Sequence, residues 1–271
     1  MCVPVRGRVM LEARNLTLKH PEKTLCRNLN LTVNPGECWA VLGRNGCGKT
    51  TLIHTLGGLR QMGDNHSPIR LGGKLLETWS RRELARHLGM LLQEEPGEFW
   101  GDVRDYVLLG RYPHVKTLFG WLPADHDIVV KAIERMELTN VAHRPLDTLS
   151  GGERQRARIA LLLAQSPQYY LLDEPLQHLD LRHQLSVMQL FKELGMQGSA
   201  LMMVLHDIGW AGRFCDHVLM IFDNGDFIAG STEDALNRKN LEALYQCSME
   251  EFVTGHGIMP CRDLAPVYNS A

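Results

Sequence analysis

The segment Gly43-Arg44-Asn45-Gly46-Cys47-Gly48-Lys49-Thr50 stands between an apolar run, Trp39-Ala40-Val41-Leu42, and a helix-like one, Thr51-Leu52-Ile53-His54-Thr55-Leu56. It fits the pattern G-x-x-x-x-G-K-[ST], with the strand before and the helix after that give this pattern its meaning. A phosphate needs donors arranged around it and no side chains in the way. Glycines let the backbone curl so that successive N–H groups point inward. The helix start adds partial positive charge, and Lys49 adds a full charge near the β/γ bridge of a nucleotide. The Thr50 hydroxyl suits a Mg²⁺ shared with the phosphates. Gly43 through Thr51 are therefore expected to cradle nucleotide phosphates. Cys47 sits inside the loop, where the helix start and Lys49 would lower its pKa, so sensitivity to thiol reagents is expected.

The chain has 271 residues, 44% of them hydrophobic, enough for one large core or one core with a smaller subdomain. A net charge of −2 gives no global field for nucleic acid or anionic lipid, and no nucleic-acid partner is expected. No apolar run approaches the roughly 18 residues that span a bilayer. The start, Met1-Cys2-Val3-Pro4, is followed by charge rather than by the apolar core of a signal peptide. Seven cysteines without a C-x-x-C pair read as reduced, mostly buried thiols of a cytosolic protein. The twelve histidines do not cluster at metal-ligand spacing, so a zinc site is not expected.

Residues 9–33 alternate loosely and read as short strands, with turns at His20-Pro21-Glu22-Lys23 and Asn34-Pro35-Gly36-Glu37. A buried strand, Cys38–Leu42, enters the loop, and a helix follows from Lys49 to about Leu59. Residues 60–68 are turn-like. Arg81–Leu88 reads as a short helix and Gly89–Gln93 as a strand. The pattern breaks from Glu94 to Gly101, around Pro96 and an exposed-looking Phe99-Trp100. Asp102 is placed to cap a helix through Leu109, and Asp127–Leu138 repeats apolar residues at helical spacing. Ser150-Gly151-Gly152-Glu153 fits a capping box that opens a helix to about Gln165. Tyr169–Leu172 and Ala200–Leu205 read as buried strands. Between them Leu181, Leu185 and Met188 mark one face of a helix, and Val218–Phe222 with Asp223-Asn224-Gly225-Asp226 reads as a hairpin.

Apolar strands that each deliver a polar residue before a helix describe a mainly parallel sheet covered on both faces, with ligands beyond the carboxyl ends of its strands. Lys49, Gln93, Asp173, Glu174 and His206 all fall at such ends. Asp173 suits the surroundings of a Mg²⁺. Glu174 can orient or deprotonate an attacking water. Gln93, with one acceptor and two donors, can touch Mg²⁺ or that water and still release them. His206 can bond a γ-phosphate oxygen and sense its loss.

Together these stretches resemble the ATP-binding-cassette (ABC) ATPase family over about residues 9–245. Gly43–Thr50 resembles its Walker A loop, Gln93 its Q-loop, and Leu149-Ser150-Gly151-Gly152-Glu153-Arg154-Gln155-Arg156 its signature. Asp173-Glu174 resembles the end of Walker B, Leu179-Asp180 the D-loop, and His206 the switch histidine. The resemblance implies an α/β P-loop NTPase: a RecA-like core with a mainly parallel sheet, an N-terminal antiparallel β part, and a helical subdomain inserted at about 94–165. It implies ATP and Mg²⁺ as ligands, with catalysis by Glu174, His206 and Gln93 and the metal near Thr50, Gln93 and Asp173. It also implies a head-to-tail homodimer, in which Ser150, Gly151, Gly152 and Asp180 of one subunit face the nucleotide of the other. The family's adenine-stacking aromatic has no counterpart before Trp39, and His20 occupies its place. Residues 246–271 form a tail without a legible motif.

Val103 through His114 further resembles the V-x-D-x-V-x-x-G-R-x-P-H segment of importers for iron–siderophores, haem and vitamin B12 (cobalamin). That resemblance implies a peripheral subunit on the cytoplasmic face of the inner membrane. Such a subunit docks to transmembrane permease subunits near Gln93–Trp100 and serves a substrate-binding protein indirectly. The alternative readings are a soluble ABC ATPase acting on a ribosome or DNA, or an ABC subunit for a different transported substrate.

Overall fold

The computed structural model describes residues 10–20, 23–60, 69–93, 99–115 and 120–248. Pro21 and Glu22 of the expected first turn, the stretch 61–68, Pro96 and the residues from 249 lie outside the described residues. The chain opens with two antiparallel strands, β1 (Leu11–His20) and β2 (Lys23–Val33). They are two long strands rather than several short ones. The interruptions visible in the sequence are register shifts, with Asn15 and Asn28 at φ 51° and 53°. Asparagine tolerates this left-handed conformation, and bonds from Asn15 N–H to Asn30 Oδ1 (3.0 Å) and Asn28 N–H to Thr17 Oγ1 (3.1 Å) hold the irregularity.

Strand β3 (Cys38–Leu42) is buried throughout and leads through the glycine loop into helix α1 (Lys49–Leu56), which Gly57 and Gly58 end earlier than expected. Strands β4 (Ile69–Leu71) and β5 (Lys74–Leu75) complete a four-stranded sheet in the order β2-β1-β4-β5. Helix α2 (Arg81–His87), opened by the capping box Ser80/Glu83, feeds β6 (Leu88–Leu91). Helices α3 (Val103–Leu108, capped by Asp102), α4 (Pro123–Arg135) and α5 (Gly151–Gln165) pack on one another. A 3-10 stretch, Leu109–His114, joins that packing. Helix α4 starts four residues before the periodicity suggested, because Pro123 provides a pre-formed first turn.

The remainder alternates strand and helix: β7 (Tyr169–Asp173), α6 (Leu181–Met196), β8 (Ala200–Val204), α7 (Ile208–Phe214), β9 (His217–Ile221), β10 (Phe227–Ser231), α8 (Thr232–Ala235) and α9 (Arg238–Tyr245). The second sheet has the order β10-β9-β3-β8-β7-β6. Its pairings are parallel except for the β9–β10 hairpin.

The alternation of side chains across this sheet separates two cores. Ala40, Leu42, Leu172, Met203 and Met220 face a core shared with α3–α7. Val41, Leu171, Met202, Val204 and Leu219 face one shared with α1 and the antiparallel sheet. On α6 the inward residues are Val187, Met188, Leu190 and Phe191. Leu181, expected on that face, is 73% exposed because it begins the helix beyond the edge of the core. The parallel strands all finish at one edge of the sheet, and the site is built there.

Candidate functional site

The loop after β3 curls through Gly46 (φ 79°) and Gly48 (φ 109°), conformations that a side chain would resist. Gly48 is the N-cap of α1 and makes no side-chain cap bond, so the first N–H groups of the helix are left for a ligand. Lys49 is buried, and its ammonium donates to the carbonyls of Gly43 (2.8 Å) and Arg44 (3.0 Å) within the same loop. Arg44 pairs with Asp223 at 2.7 Å, tying the loop to the turn after β9.

A cleft of about 570 Å³ opens over this loop, lined by His20, Lys23, Leu25, Asn45, Gly46, Gly48, Lys49, Thr50, Thr51, Gln93 and Glu174. Its size and its mixture of backbone N–H groups, two lysines and a carboxylate suit a polyanionic small molecule. His20, exposed at the end of β1, is among the lining residues. Lys23 and Leu25 were missed. His20 and Lys23 pair across the β1–β2 ladder, and a lysine three residues after a candidate ligand-stacking residue was the available signal.

Asp173 ends β7 almost wholly buried, and neither carboxylate oxygen has a hydrogen-bond partner. Burial is the largest influence on its pKa and raises it, while the nearby Thr50 hydroxyl favours the charged form. A buried carboxylate left open beside a threonine hydroxyl is the donor set a Mg²⁺ takes, so the residues fit that ion. Glu174 follows at φ 52°, a conformation that costs a non-glycine residue of order 1–3 kcal/mol. This turn directs its side chain to the cleft, where Glu174 Oε1 lies 2.8 Å from His206 Nε2. His206 and Gln93 both stand just beyond strand ends, two residues after β8 and β6.

Ser150, Gly151, Gly152 and Asp180 are not at this cleft. Ser150 caps α5 through Glu153 N–H (3.3 Å), Asp180 caps α6 through His183 N–H (2.8 Å), and Gly151 and Gly152 lie against His178. Cys47 contradicts the expected reactivity. It is 1% exposed, and burial, the dominant influence, raises its thiol pKa despite the opposing charge of Lys49. A side chain tucked under the loop is desolvated before the helix start can activate it.

Residues 26–177 match the ABC transporter family model. The chain belongs to the ABC transporter family. It is 36% identical over 238 residues to the ferric enterobactin transport ATP-binding protein FepC of Escherichia coli (strain K12), covering 87% of this chain and 86% of that protein. It is 33% identical over 265 residues to the hemin import ATP-binding protein HmuV of Gloeobacter violaceus, covering 95% and 94%. Among solved structures it resembles an inward-facing ABC transporter assigned to the metal-chelate type. That match has a TM-score of 0.75 at 29% identity, over 89% of this chain and 90% of the other. The fold is thus that of the ABC cassette: a P-loop NTPase with an antiparallel sheet, a mixed sheet and a helical part. As an ABC ATPase domain it binds ATP, and the cleft over Lys49 is where the loop geometry can receive the phosphates. No helix among the described residues is long and apolar enough to cross a membrane.

Proposed function

We propose that this chain is the ATP-hydrolysing subunit of a membrane importer for an iron–siderophore, haem or cobalamin-type substrate. The observation that carries the chemistry is Glu174, aimed into the cleft opposite Lys49 and Thr50 and held against His206. In this reading the loop N–H groups and Lys49 bind the phosphates. Glu174 accepts the proton of the attacking water, His206 holds the carboxylate in place, and Gln93 registers the bound γ-phosphate. Thr50, Gln93 and Asp173 would hold Mg²⁺, which would neutralise and orient the phosphates. His20 would stack on the adenine.

That Ser150, Gly151, Gly152 and Asp180 do not line this cleft supports a head-to-tail homodimer, in which the N-terminus of α5 meets the partner's nucleotide. The importer class is supported by the names of the relatives and by the segment Val103–His114. That segment would make the chain a peripheral protein on the cytoplasmic face of the membrane, bound to permease subunits and acting indirectly with a substrate-binding protein. Trp100, 86% exposed, supports permease docking at the stretch Gln93–Trp100; Phe99 instead packs edge-on against Tyr106 at 5.4 Å.

The test is Glu174→Gln, purified from native membranes with ATP. Recovery of a multi-span permease with the hydrolysis rate reduced at least a hundredfold supports the proposal. Recovery of ribosomes or DNA would replace it with the soluble-ATPase reading.

A further inference from the structure

Gln155 is an amide buried to 3% exposure on a helix whose other inward residues are apolar. Such a group is tolerated only when its donors and acceptor are matched. Its Nε2 donates to Pro175 O (2.9 Å) and, at the limit of bonding distance, to Glu174 O (3.5 Å). Its Oε1 accepts from Arg158 Nη1 (2.9 Å), one turn along α5. The other arm, Arg158 Nη2, donates to Leu92 O, the carbonyl just before Gln93. Arg156, pointing the other way, donates to Met136 O and Glu137 O at the end of α4.

We infer that Gln155 and Arg158 are positioning residues: together they set the backbone turn at Glu174-Pro175 and the carbonyl before Gln93 from one face of α5. This rests on the roles proposed above for Glu174 and Gln93. The left-handed turn at Glu174 precedes a proline and is doubly unfavourable; Gln177 N–H holds it from within, 3.1 Å from Glu174 O, and Gln155 clamps it from outside at Pro175 O. Arg158 links that clamp to the strand end that delivers Gln93. A rotation of α5 about its own axis would therefore move both carbonyls at once. Movement at its N-terminus, where Ser150 lies, reaches the hydrolytic groups without any side chain of α5 entering the cleft.

The test uses the full chain with ATP and Mg²⁺ and the variants Gln155→Met, Arg158→Met, Arg158→Lys and the double Met variant. Each Met variant is expected to lower kcat at least tenfold while ATP affinity stays within threefold. The Mg²⁺ concentration for half-maximal rate should rise, because Gln93 is displaced. The double variant should be no slower than the slower single one, since both break one relay. Arg158→Lys, which can reach one acceptor but not both, should fall between parent and Arg158→Met, and it serves if the Met variants fold poorly. Unchanged kcat, a loss confined to ATP affinity, or losses that multiply in the double variant would overturn the inference. Glu174→Gln separates the two levels. If it retains the parent rate, the underlying reading fails; if it is inactive while the relay variants are normal, only the relay fails.

Discussion

Asp125 is the sharpest place to perturb the packing of α4 on α5. It is buried, and its Oδ1 accepts from Arg111 Nε at 2.8 Å, while Oδ2 accepts from Leu122 N–H at 2.9 Å, closing the first turn of α4. Arg111, also buried, donates its second arm to Ala164 O at 2.7 Å, near the C-terminal end of α5. Asp125→Ala leaves that guanidinium buried with a carbonyl but no counter-ion. Breaking one side of a buried pair costs about 3–5 kcal/mol, and at about 2–4 °C per kcal/mol the melting temperature should fall by roughly 6–20 °C.

Asp125→Asn keeps size and acceptor but removes the charge, so about half that loss is expected. Replacing both partners, Arg111→Met with Asp125→Leu, should recover most of the stability, because no charge is then stranded. Burial alone would raise the Asp125 pKa, yet the Leu122 N–H bond and Arg111 overcome it and hold the carboxyl below its ordinary range. Its contribution is therefore complete above the unfolded carboxylate's range and lost as pH falls through and below it. Thermal melts from pH 3 to 7 should show the parent converging on Asp125→Asn at the acid end. A loss under about 1 kcal/mol for Asp125→Ala, or a double variant less stable than that single one, would refute the reasoning.

Cys47 should resist iodoacetamide in the native chain at neutral pH and react after unfolding; peptide mapping that finds it alkylated first would contradict its burial. A methyl group at Gly43 would lie 2.5 Å from Cys47 Sγ and 2.7 Å from Ile221 O, so Gly43→Ala should weaken ATP binding at least tenfold in a fluorescence titration. Phe99→Ala should cost about 1–2 kcal/mol by melting, since the ring packs on Tyr106. Trp100→Ala should leave stability within about 0.5 kcal/mol and, if the permease docks there, abolish import in reconstituted vesicles.

What could be read in advance depended on whether the physics was local. The glycine loop, the capping box at Ser150, and the all-apolar strands announce themselves, because each is written in adjacent residues. The burial of Cys47 and the exposure of Leu181 are not local: each depends on what the tertiary fold lays over that position. The two asparagine bulges looked like strand breaks, since sequence alone cannot tell a register shift from a turn. Gln155 stood inside the quoted signature without a role. Its partners, Pro175 and Arg158 with Leu92 beyond, meet only when α5 lies across two strand ends.

The uncapped start of α1 also has a consequence for how the molecule behaves in bulk. Amides left for a ligand make the local structure subject to mass action: nucleotide at a hundred times its dissociation constant adds about 2.7 kcal/mol to the folded state. The N–H groups of residues 49–51 thereby become an occupancy gauge. Their deuterium uptake should slow as ATP fills the site, and the buried amides of β3 beneath them, which exchange only when the whole fold opens, should slow by the same mass action.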